Sequence, residues 1–183
     1  MKDYVSDEKL KITKEKFKTV SLLPFWISIG NALIAGATIN AIAAYGEEAG
    51  WRGFLFKELK HLGFWKMSIL IGAIWGIWHA PIILMGHNYP QHPQIGVIFM
   101  IIFCILLSPI LFFIRLKTDS VIPCAIAHGT LNGSYGISIL LIKGGNDLLV
   151  GITGIAGLII LALFNLVILL MSRRENIMDE TKY

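Results

Sequence analysis

Apolar positions along the chain fall into five long runs, at about 20–45, 67–85, 95–114, 121–142 and 148–171, and polar positions gather between them and at the ends. Each run is close to the roughly 20 residues that a helix needs to cross a hydrocarbon layer of about 30 Å. The pattern predicts an all-α, polytopic transmembrane helical bundle of about five spans. A core over 20–172 is flanked by a Lys-rich polar segment, 1–19, read as a surface helix, and a polar tail, 173–183. The first run passes through two glutamates into an amphipathic stretch, Phe54 to Lys60, and Gly63 should end it. Pro81 should kink the second run, because it supplies no N–H and frees a carbonyl. The third run carries Pro109, and the fifth holds no ionisable residue. Gly151, Gly154 and Gly157 should let the fifth span approach a neighbour closely.

Composition supports this picture. The chain is 55% hydrophobic and only 15% charged, too little charge for the surface of a soluble domain of this length. The net charge of +4 sits mainly in tails and connections, which suits anionic lipid, and no basic–aromatic stripe points to nucleic acid. Cys104 and Cys124 lie in or beside apolar runs and read as packed thiols. The first 19 residues are polar and the run behind them is too long for a signal-peptide core, so it reads as a retained span. Arg52, Lys57, Lys60 and Lys66, then Arg115 and Lys117, then Arg173 and Arg174 follow alternate spans, so all can be cytoplasmic. The Lys-rich N-terminus then falls on the other side.

Carboxylates are costly at the edge of a span, because hydrocarbon cannot solvate them. Yet Glu47 and Glu48 stand side by side in Gly46-Glu47-Glu48-Ala49-Gly50-Trp51-Arg52-Gly53. Glu48 and Arg52 are four apart, so on a helix they share a face and can pair. Glu47 is turned by about 100° and is free to point elsewhere. Asn40 lies seven residues before Glu47, on nearly the same face. Trp75 and His79 are four apart, as are His128 and Asn132. Three spans thus carry polar stripes that should face one another, away from lipid. A carboxylate beside histidines can activate water, two histidines can hold a metal, and His and Asn can donate to an oxyanion. All three describe hydrolysis of a carbonyl compound, most simply a peptide. The plainer alternatives are a solvated helix end at the glutamates, a packed His79 bonded to a carbonyl near Pro81, and interhelical hydrogen bonds from His128 and Asn132. The tryptophans read as packing aromatics, and His87 and His92 as residues of a solvated loop.

Glu47-Glu48-xxx-Arg52, Trp75-xxx-His79 and His128-xxx-Asn132, in this order on successive helices, resemble the CAAX protease and bacteriocin-processing (Abi) family of intramembrane proteases. The resemblance covers about 46–132. Trp75 stands where that family usually has Phe, and the three spans that usually precede the double glutamate are not in this sequence. The resemblance therefore suggests a short member, a fragment, or a chain that takes missing spans from another membrane chain. It implies Glu47 as general base, Glu48 with Arg52 orienting the site, His79 positioning the water, and His128 with Asn132 at the oxyanion. It equally allows zinc held by His79 and His128 with Glu47; no His-Glu-xx-His pair on one helix argues for the metal. The expected substrate is a peptide or protein tail in the bilayer of a bacterial plasma membrane, with the active site toward the cytoplasm. A non-catalytic bacteriocin self-immunity or scaffold protein is the alternative, and an ion carrier a further one.

Overall fold

The computed structural model describes residues 23–135 and 145–175, and helices make up all of the regular structure there. The N-terminal segment, the end of the fourth apolar run and most of the C-terminal tail lie outside the described residues. Helix α1 (Trp26–Leu62) is unbroken over 37 residues. It widens into two π-helical turns, Gly36–Asn40 and Ala49–Phe54, the second directly behind the glutamates. Gly63, at φ 78°, then ends it, as expected from a residue that enters this region without strain. Helix α2 (Phe64–Trp78) stops at His79, and the chain resumes as α3 (Ala80–Leu84) with Pro81 in its first turn. The predicted kink is thus a one-residue interruption at the histidine, whose backbone stays right-handed. Helix α4 (Pro93–Thr118) runs through Pro109, and α5 (Ile122–Ser134) follows after Asp119 in a left-handed turn.

The last helix, α6 (Ile155–Glu175), differs from expectation. It starts at Ile155, and 145–154 form turns, because Gly151 takes φ 82°. A Cβ at Gly154 or Gly157 would strike the chain's own Val150 or Ile152 oxygens, so these glycines fit the turn against its helix rather than one helix against another.

Three helices, α1, α4 and α6, are long and apolar enough to cross a membrane, and α2 is a shorter apolar helix extended past its break by α3. Helix α4 packs along α2 and also meets α3, α5 and α6. Two clusters fill the bundle, one around Trp75, Met100, Cys104 and Leu111, the other around Phe56, Met67, Ile71 and Phe112. Outward rows such as Ile34, Ile39 and Ile42 on α1, or Ile159, Leu163 and Leu166 on α6, stay exposed, as lipid-facing surfaces should.

Helix α5 is pressed onto α1 at the site. A Cβ on Gly129 would come within 2.5 Å of the Ala41 nitrogen, so only glycine fits beside His128. Gly76 does the same for α2 and α4, where a Cβ would meet the Ile101 Cα at 2.5 Å. Backbones that approach this closely bring short polar side chains within reach of the next helix.

Candidate active site

The two glutamates point to different places. Glu48 is fully buried; its Oε1 accepts from Arg52 Nη1 at 3.0 Å and from His128 Nδ1 at 2.9 Å. Arg52 is equally buried and reaches Ser108 with Nη2 at 3.4 Å. Its guanidinium lies 4.6 Å from the Trp75 ring centre and 5.2 Å from that of Phe112. The i, i+4 pairing was legible in the spacing, but the burial was not. Arg52 therefore does not belong among the loop cations that set orientation.

Glu47 is half-buried and lines a cavity of about 700 Å³. Its Oε2 accepts from the Trp75 indole N–H at 2.9 Å. His79, His128 and Asn132 line the same cavity. All three polar stripes thus converge, as their spacing implied. Asn132 is exposed to the cavity and makes no hydrogen bond among the described residues. Asn40 does not line it; its side chain lies against Gly133.

Hydrogen bonding fixes how the two histidines present themselves. His79 Nδ1 lies 2.9 Å from the Trp75 carbonyl oxygen, at the end of the broken helix. A carbonyl only accepts, so this nitrogen carries the proton. The same holds for His128 Nδ1 against the Glu48 carboxylate. Both rings therefore keep Nε2 for the cavity. Nδ1 tied to a carbonyl or carboxylate is also how proteins support metal-bound histidines. A catalytic zinc needs a third protein ligand, however. Among the described residues no three His, Cys, Asp or Glu side chains gather closely enough to hold one ion. The third member of the expected set, Glu47, is instead held by Trp75.

His87, Asn88, Tyr135 and Thr153, at the ends of the helices and in the loops beside them, join the cavity lining. Two loops are tied together there. Asp147 accepts from the Gln91 N–H at 2.7 Å and lies 2.6 Å from His92 Nδ1, while Tyr135 donates to the Asn88 oxygen at 2.9 Å. Tyr89 is buried and donates to the Thr153 oxygen at 2.8 Å, and burial pushes its phenol above the usual range. His92 is thus paired, while His87 is exposed on the loop, as expected, and also lines the cavity. Lys57, Lys66, Arg115 and Lys117 surround the turns at the opposite end of the bundle.

Sequence reasoning missed two contributors. Ser108 sits one helix away from the motifs with no signal of its own. Trp75 was read as packing, although its N–H touches the free glutamate; its position four residues before His79 was the available clue.

Such a bundle, with carboxylates and histidines enclosed between apolar helices, is an integral membrane protein. The chain belongs to the family described as Type II CAAX prenyl endopeptidase Rce1-like, which matches residues 25–134. It is also similar to CAAX prenyl protease 2 of Methanococcus maripaludis, 43% identical over 49 residues. That match covers 26% of this chain and 18% of the relative, so the chain matches less than a fifth of the relative's length. No solved structure matches it.

Proposed function

We propose that this protein is an intramembrane endopeptidase that hydrolyses peptide bonds in membrane-associated peptides or protein tails, including the prenylated tails that the names of its family and relative indicate. One observation carries the reading. Of two adjacent glutamates, Glu48 is sealed in an ion pair and Glu47 faces a cavity shared with His79, His128 and Asn132. The reaction needs a base for water, something to orient that water, and a donor for the oxyanion. Glu47 takes a proton from water as its oxygen bonds to the scissile carbonyl carbon. His79 Nε2 accepts a hydrogen bond from the water's second hydrogen, which stays on the oxygen, and so orients the attack. The Asn132 amide donates to the oxygen that gains charge, and His128 completes that wall. When the C–N bond breaks, Glu47 returns the proton to the leaving amine. Glu48 and Arg52 act through their neighbours: they fix the His128 ring and balance charge. No step is routed through a metal, and a chelator should leave the rate unchanged.

Orientation belongs to the same proposal. Lys57, Lys60, Lys66, Arg115, Lys117, Arg173 and Arg174 gather at one end of the bundle, seven basic residues against the six lysines that precede α1 (Lys2, Lys9, Lys11, Lys14, Lys16 and Lys18). This bias favours that end as cytoplasmic. A bacterial plasma membrane is the setting we favour. Cysteines introduced at Asn88 and at Lys57 should label from opposite sides, Lys57 from the cytoplasm.

The deciding experiment compares peptide termini in cells carrying the native chain or Glu47→Gln. A cleavage that vanishes in the variant identifies activity and substrate together. Identical termini would sink the protease reading in favour of a self-immunity or scaffold role.

A further inference from the structure

Trp75 occupies the centre of the site, touched from several directions. The Arg52 guanidinium lies over its ring at 4.6 Å, and the His128 ring meets it edge-on at 5.2 Å. The side chain is only 2% exposed, so it has little freedom to turn. Its one polar atom, Nε1, is aimed at Glu47 Oε2 at 2.9 Å. Glu47, by contrast, is half-exposed on a flexible side chain, and the Trp75 N–H is its hydrogen-bond partner among the described residues. A rigid donor against a mobile carboxylate fixes one oxygen and leaves the other for the cavity. Donor bonds to a carboxylate are short, directional and about twice as strong as neutral ones. A phenylalanine at 75 would keep a ring against Arg52 and His128 but has no N–H.

We propose that Trp75 is a positioning residue that fixes the Glu47 carboxylate for attack on water through its indole N–H. This rests on Glu47 being the base. Removing the N–H leaves the carboxylate sampling several rotamers, few of them in line with the water. The bound substrate touches the cavity wall elsewhere, so turnover should suffer and affinity should not.

The test measures kcat and KM on a farnesylated, internally quenched CAAX peptide in detergent. It uses Trp75→Phe and the isosteric replacement of Trp75 by benzothienylalanine, which exchanges the N–H for sulfur. Both should lower kcat about thirtyfold and leave KM within about twofold. In a Glu47→Asp background, whose shorter side chain already withdraws from the indole, Trp75→Phe should cost less than about twofold more, since coupled residues are non-additive. The isostere guards against a phenylalanine that merely loosens packing. A second measurement needs no turnover. The indole N–H resonance that disappears in Trp75→Phe should move upfield in Glu47→Ala. Wild-type kcat in the isostere, full additivity in the Glu47→Asp background, or an unmoved resonance would each overturn the positioning role. Full activity in Glu47→Gln would overturn Glu47 as the base and the positioning role with it, while absence of cleavage by the native chain would overturn the protease reading.

Discussion

The sealed and the open halves of this site are built from neighbouring residues of one helix, yet they obey different physics. On the sealed side Glu48, Arg52, Ser108 and the Nδ1 edge of His128 make bonds only with each other, at 0% exposure for the ion pair. Charge there is matched in place, although Glu48 Oε2 and Arg52 Nε make no hydrogen bond among the described residues. On the open side Glu47, His79 and Asn132 leave donor or acceptor atoms facing a cavity. Adjacent carboxylates with equal chemistry thus acquire opposite roles from a turn of about 100°. Trp75 is the wall between the halves: its face carries Arg52 and its edge holds Glu47.

The sharpest way to break this contrast is Glu47→Gln. A glutamine still accepts from Trp75, so a melt in detergent should stay within about 2 °C of the native chain, while kcat falls about a thousandfold, the scale of a lost general base. Arg52→Ala should do the reverse first. It strands Glu48 in a buried place, which costs about 3 kcal/mol or more of stability. A chain with Arg52→Ala that melts like wild type would mean the sealed half is not sealed. Asn132→Ala comes next. Its amide makes no bond among the described residues, so stability should hold, while kcat falls about a hundredfold through loss of an oxyanion donor. An unchanged kcat would remove Asn132 from the chemistry. Asp147→Asn should be mildest, about 1 kcal/mol or less, because His92 is a third exposed and the pair is screened. Its effect should fall on KM, since the tie holds the loop that carries the cavity-lining His87 and Asn88.

Much of this arrangement was legible in the residues. Motif spacing located three polar faces, the i, i+4 rule paired Glu48 with Arg52, and Pro81 marked where α2 gives way. What escaped were facts set by contact between distant residues. Trp75 and Glu47 are 28 positions apart, and nothing in either neighbourhood shows that an indole N–H will meet a carboxylate. Arg52 looks like any loop cation until α4 supplies Ser108 and Phe112 around it. The glycines before α6 have the spacing of a helix contact, but Gly151 in the left-handed region turns them into a bend.

The π-helical turn at Ala49–Phe54 carries a genetic consequence. Such a turn holds one residue more than an α-helical turn would. Deleting the codon for Ala49 or for Gly50 would let the stretch relax to ordinary winding with the flanking helix intact. Arg52 would then stand three residues after Glu48 instead of four, still on nearly the same face. A lesion of three nucleotides, silent to hydropathy and to helix content, would therefore change the register of everything beyond it while the ion pair could re-form.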